Sequence, residues 1–166
     1  MIACLKKIYK ITIINPSEGF TLLELIIVFT VIAVISTMGI ASFVSYSRNQ
    51  ALVQAGSSLE NTLNLARSNS LSQVKPSVCT GNILSGYQVD LDTLNNKYTL
   101  SVVCLGLHTI QTTSLPNGIT FSSQTTASSI FFPVISSGVT GGGTKIVLTG
   151  YSKNFTVNID TNGIIR

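Results

Sequence analysis

Charge is scarce in this sequence. Charged residues make up 10% of its 166 positions, well below the roughly 25% usual for soluble domains. A chain this short of charge either buries an unusual share of itself or lies partly in lipid. Histidine is scarcer still. His108 stands alone, with no Asp or Cys at ligand or triad spacing, so a surface loop is expected there rather than a metal or nucleophile centre. No metal-ligand cluster, Walker loop or nucleophile elbow occurs. Gly141-Gly142-Gly143 lacks the Lys-Ser/Thr of a phosphate loop and reads as a flexible turn. No internal repeat is found. These absences leave no catalytic residue, metal site or cofactor to expect, and so no enzyme.

The charge that is present is unevenly placed. Lys6, Lys7 and Lys10 come early, and no acid precedes Glu18. From Phe20 onward there are seven Lys/Arg and five Asp/Glu, a near-neutral balance that gives no general reason to expect nucleic acid. Between these regions runs Phe20 to Val44, an apolar stretch whose one ionisable side chain is Glu24. As a helix it is about 37 Å long, against a hydrocarbon core of about 30 Å. The lysines on its amino side predict a single pass with that end in the cytoplasm. An ordinary secretory signal places its cleavage site after the apolar core. Here the candidate site, Gly19-Phe20, precedes it, so cutting there leaves the membrane helix on the mature chain. Asn15-Pro16-Ser17 breaks the chain just before.

Beyond the apolar run, Leu52, Ala55, Leu59, Leu63 and Ala66 recur at three- and four-residue steps, with Gln54, Ser58, Asn61, Asn64 and Ser68 between them. This stripe predicts one long helix from about Phe20 to Gln73, ended by Lys75-Pro76. Gly39 and Gly56 are weak points in it, each costing about 1 kcal/mol against Ala. From Val78 the period becomes two. Tyr87, Val89 and Leu91 are followed by Asn95-Asn96 and then Tyr98, Leu100, Val102 and Cys104, which predicts a hairpin. Further short runs lie at 119–123, 129–135, 145–149 and 154–160. Residues 111–129 and 136–144, rich in Ser, Thr and Gly, read as exposed loops. The expected fold class is α+β: a long N-terminal helix, half transmembrane and half amphipathic, packed on an antiparallel sheet of about six strands. The expected divisions are a leader at 1–19, a membrane helix at 20–47 and a globular domain at 48–166. Within that domain the helix covers about 48–74 and the β-region about 77–166.

Gly19-Phe20-Thr21-Leu22-Leu23-Glu24-Leu25, behind a basic leader and ahead of an apolar run, resembles the processing and assembly motif of type IV pilins and type II secretion pseudopilins. Leu63 to Ser68 with Pro76-Ser77-Val78-Cys79, and Phe155 to Ile159 with Asn162 to Arg166, resemble the GspH/FimT group of those proteins. Two departures stand out. The membrane helix has no mid-span Pro, and Ile164 occupies the place of the first Arg in that group's Gly-Arg-x-Arg-type tail. The resemblance implies cleavage after Gly19 by a prepilin peptidase and N-methylation of Phe20. It also implies assembly with other pilin-like subunits into a hetero-oligomeric filament at an inner-membrane platform, with the globular domain in the periplasm.

Within that frame Glu24 pairs with the amine of Phe20 on a neighbouring subunit and sets the axial register. The plainer reading is an interfacial glutamate reaching water. Cys79 and Cys104 either form a bridge closing a loop of about 25 residues, stabilising the domain by roughly 3 kcal/mol, or are two small buried residues that never meet. Cys4 falls in the leader. The group contains both secretion pseudopilins and type IV pilus minor pilins, the latter including DNA-uptake members. Arg166, with Lys145 and Lys153, could touch phosphates. One arginine beside a terminal carboxylate supports no more than weak, salt-sensitive, sequence-independent binding. An uncut, single-pass anchored enzyme or sensor is the remaining alternative.

Overall fold

The computed structural model describes residues 19–136 and 138–166. The expected leader, apart from Gly19, lies outside the described residues, Cys4 included. The chain forms two units, Met1–Ser42 and Phe43–Arg166, and the helix α1 (Leu22–Leu71) contributes to both.

Thr21 starts α1. Its Oγ1 accepts a hydrogen bond from the Glu24 backbone N–H at 3.2 Å, the Ser/Thr-x-x-Glu arrangement of a helix start. In the first unit the large apolar side chains from Leu22 to Ile35, and that of Ile40, are exposed around the helix. Three of its hydroxyls are satisfied within the helix. Thr30, Ser36 and Thr37 donate to the carbonyls of Ile27, Ile32 and Val34 at 2.7–2.8 Å, so none needs a solvent partner. The helix is long and apolar enough to cross a membrane.

In the second unit the same helix becomes one-sided. Leu52, Ala55, Leu59, Leu63 and Ala66 are buried, while Gln54, Ser58, Asn61, Asn64 and Ser68 are exposed. Gly56 is no weak point. A Cβ there would run into the Phe155 ring, so its missing side chain is what lets the helix sit close on the last strand. The helix stops at Leu71, earlier than Lys75-Pro76. Gln73 takes φ +53° and its N–H bonds to Ser70 O, while Val74 N–H reaches back to Asn69 O. This six-to-one closure is usually built on Gly, and Gln73 hides it from sequence. Two further bonds fix the end: Ser70 Oγ lies 2.9 and 2.7 Å from the carbonyls of Phe132 and Pro133, and the Tyr87 hydroxyl donates to Val74 O at 2.7 Å. Burial raises the pKa of that phenol.

The β-region is two antiparallel sheets rather than one. The first has strand order β3-β2-β1-β5, from β1 (Gly86–Asp92), β2 (Lys97–Val103), β3 (Leu107–Ser114) and β5 (Ser129–Pro133). The second has order β4-β6-β7, from β4 (Ile119–Phe121), β6 (Thr144–Gly150) and β7 (Lys153–Ile159). Tyr87, Val89 and Leu91 of β1 and Tyr98, Leu100 and Val102 of β2 join the helix stripe in one core with Ile146, Leu148, Val157 and Ile159. The expected hairpin forms, with Asp92 paired to Lys97. Hydrogen bonds from the Asn95 side chain and backbone hold the Asp92 carboxyl below the usual carboxylate range.

Residues 111–114, expected in a loop, belong to β3, and so does His108. Seven of the eight β3 residues are exposed, so no alternation of buried and exposed positions marks the strand in sequence. The Ser/Thr-rich stretch after β4 also has a structural task. The hydroxyls of Thr125 and Thr126 bond to the backbone of Val147 and Lys145 along the edge of β6, taking the place of a neighbouring strand.

Candidate processing and assembly site

Gly19 and Phe20 precede the first turn of α1, and both are exposed. Among the described residues nothing lies within 4 Å of where a Gly19 side chain would begin, so no close packing there calls for glycine. A peptide bond in this setting, outside any helix or strand and without a side chain on its carbonyl side, is open to a protease. Glu24 is one turn into the helix, exposed, with its backbone N–H held by Thr21. Its carboxylate sits beside the positive end of the helix dipole, worth typically 0.3–1 kcal/mol. Glu24 therefore has a favourable position within its own chain, and its carboxylate has no hydrogen-bond or ion-pair partner among the described residues. Thr21 joins these residues as the helix cap, and its spacing to Glu24 is a capping signal legible in the sequence.

Cys79 and Cys104 form a disulfide, with their Cα atoms 5.7 Å apart. Neither lies in a strand: Cys79 ends a 3₁₀ turn (Ser77–Cys79) and Cys104 follows β2. The bridge ties the segment after α1 to the end of β2.

The carboxyl tail is folded back rather than free. Gly163 turns at φ +71°, and Asn158 and Arg166 exchange both backbone hydrogen bonds at 2.8 and 3.0 Å. Arg166 is thus set on one side of Asn158 while Lys145 pairs with Asn158 on the other. Lys145 and Arg166 line one groove of about 310 Å³, together with the carboxylate of Asp160. Lys153 lies at the opposite end of the β6–β7 hairpin, across from Gly150. The structure thus brings together two of the three candidate cations, with an acid between their strands.

Residues 14–40 match the prokaryotic N-terminal methylation motif. A search of curated proteins returned no match. Among solved structures, the chain is similar to the crystal structure of the minor pseudopilin EPSH from the type II secretion system of Vibrio cholerae. The TM-score is 0.50 at 16% identity, over 72% of this chain and 94% of that one. At that identity the likeness is one of fold. The chain therefore has a type IV pilin-like fold of the kind seen in that minor pseudopilin, behind a prokaryotic N-terminal methylation motif.

Proposed function

We propose that this chain is a minor pseudopilin of the GspH type. In this reading a prepilin peptidase removes residues 1–19 and methylates Phe20. The mature helix then joins other pilin-like helices in a type II secretion pseudopilus, where the subunit acts near the tip in protein export. The observation that carries the reading is the Gly19-Phe20 junction with Glu24 at the fifth mature position, set before an apolar helix and a pseudopilin-like domain. Glu24 neutralises the Phe20 amine of a neighbouring subunit, a pairing favoured where water is thin. The amino end stays in the cytoplasm and the domain faces the periplasm. The work is binding, and no residue is assigned to catalysis.

The test is twofold. Mass spectrometry of the protein from membranes is expected to show a mature chain beginning at methylated Phe20. A mature species retaining Lys6 to Glu18 would falsify the processing step. Deletion in the host is expected to reduce protein export. Loss of surface pili with export intact would replace this reading with that of a type IV pilus minor pilin. Glu24→Ala is expected to leave cleavage intact and to impair incorporation into the filament.

A further inference from the structure

The apolar run ends at Val44 and the second unit begins at Phe43, so the chain itself ties the start of the domain's helix to the end of the span. Tyr46 and Arg48 follow Val44 by two and four residues, about 3 and 6 Å along a helix. The headgroup layer on each side of a hydrocarbon core is about 5–8 Å thick. In an anchored chain Tyr46 and Arg48 therefore lie in or beside that layer.

Arg48 stands four residues before Leu52, in step with the buried stripe, where another apolar residue would extend the core. Instead its guanidinium lies over the Tyr151 ring, 5.3 Å from the centroid. That contact supplies no anion, and among the described residues the Arg48 side chain has neither a hydrogen-bond acceptor nor an ion pair. Tyr151 is held there at a backbone cost. With Ser152 it forms the two-residue turn between β6 and β7, at φ +54° and +63°, where Asn-Gly is the usual pair. Its hydroxyl donates to Asn117 O at 2.9 Å, which fixes the ring. Lys153 follows the turn. β7 runs alongside α1 in the same direction, because Phe155 meets Gly56 and Asn162 O accepts from Arg67. Lys153 shares the face of Phe155 and lies two residues nearer the Arg48 end.

No carboxylate serves these two cations. The sequence has no acid between Glu24 and Glu60 or between Asp92 and Asp160. Asp92 is engaged by Asn95 and Lys97, and Asp160 shares the groove of Lys145 and Arg166 at the far end of the β6–β7 hairpin.

We infer that Arg48 and Lys153 bind the phosphate of an anionic phospholipid headgroup, with Tyr46 and Tyr151 beside it in the headgroup layer. Tyrosine favours that layer, and Lys and Arg are drawn to an anionic surface. The inference rests on the membrane-anchored reading above and adds that the domain itself touches lipid. A carboxylate on a neighbouring subunit is the other anion within reach of this end, so the test uses one chain per bilayer disc.

The full chain is inserted singly into phosphatidylcholine nanodiscs that carry a small share of spin-labelled lipid. The labelled lipid is phosphatidylglycerol or phosphatidylcholine, with the label next to the glycerol in both. Paramagnetic broadening of the Arg48, Tyr151, Ser152 and Lys153 amides is the readout. The anionic lipid is expected to associate more tightly, on the order of thirtyfold for two cations, and its preference to fade at about 1 M salt. Arg48→Gln with Lys153→Gln is expected to abolish the preference. Lys153→Gln alone, at an exposed position, is expected to lower it on the order of fivefold while the domain melts as before. Lys145→Gln is expected to leave it unchanged. Equal broadening by the two lipids, or a preference that survives the double substitution, overturns the proposal with the chain still anchored. So does broadening that reaches Arg48 but not the Tyr151–Lys153 turn. A chain that does not enter the discs overturns the membrane reading, and this proposal with it.

Discussion

The two halves of α1 solve the same problem for different surroundings. In the amino half, Phe29 and Ile35 leave 62% and 66% of their surfaces uncovered, and their apolar neighbours do likewise on every side. In the carboxyl half, Leu59 and Leu63 leave none uncovered, and the rest of the circumference is mostly polar, with Val53 and Leu65 exposed among the polar residues. A helix apolar all round needs an apolar solvent, whereas a striped helix needs one apolar partner. Backbone geometry is shared across the junction, so the difference lies wholly in what the side chains are built to meet. The hydroxyls show it too. Those of Thr30, Ser36 and Thr37 turn back onto the helix, while those of Ser58 and Ser70 reach across to Tyr98 and to the end of β5.

The most direct way to break this comparison is to truncate one leucine or isoleucine in each half. Leu63→Ala removes a fully buried side chain and is expected to cost the domain about 3–4 kcal/mol, from lost transfer energy and the cavity left behind. Ile32→Ala removes a similar volume that the domain does not cover, and is expected to change the domain's melt by less than about 0.5 kcal/mol. Thermal denaturation of the full chain in detergent, followed by circular dichroism, measures both. Equal costs would mean that the two halves are not distinct in what they pack against.

This contrast was legible in sequence because each half has its own period. The five stripe residues from Leu52 to Ala66 and the five polar residues between them fall as expected. β1 and β2 were legible for the same reason, since their inner residues alternate with polar ones. β3 was not. A strand exposed on both faces has no core to impose alternation, and its threonines read equally well as loop. The division into two sheets was hidden because pairing partners are distant in sequence, and local pattern does not name them. At the candidate site, Gly19, Phe20 and Glu24 lie within six consecutive residues, and a motif that is local in sequence survives being read without a fold. The juxtaposition of Lys145 and Arg166 depends on the tail folding back at Asn162-Gly163, a turn dipeptide that marks the reversal but does not name the strand the tail meets.

The disulfide sharpens the comparison at the carboxyl end of the striped half, where the chain leaves the helix for the sheets. Opening the Cys79–Cys104 bridge frees a loop with a sequence separation of 25. It is expected to lower stability by about 3 kcal/mol. Melting the oxidised and reduced protein side by side checks the magnitude. Two free thiols titrating in the oxidised, denatured chain would show that the bridge is not formed. A smaller effect is expected at Gly56. Helix propensity alone says that Gly56→Ala gains about 1 kcal/mol. The Phe155 ring says otherwise, because the new methyl has no room, and overpacking costs about 1–3 kcal/mol. A net loss in the melt is expected, and a gain would show that the ring can move aside.

The smallest effect concerns how the striped half is tied off. The Tyr87 hydroxyl donates to Val74 O, just past the end of α1, and can do so only while it keeps its proton. Tyr87→Phe removes that bond and leaves the Val74 carbonyl without it, an expected cost of about 1 kcal/mol at neutral pH. The pH dependence gives a second readout. Burial raises the folded-state pKa of Tyr87 above its ordinary value of 10.0. The folded chain therefore holds this proton more tightly than the unfolded chain does. By linkage, that contribution is fully present below pH 10 and is lost as pH rises through the folded-state value. Comparing melts of the wild type and Tyr87→Phe from neutral to alkaline pH isolates it, because the other tyrosines are common to both. The gap between the two proteins is expected to narrow above about pH 10. A gap that stays constant would mean that the phenol ionises no differently in the folded chain, and that its tie to the end of α1 is not what burial protects.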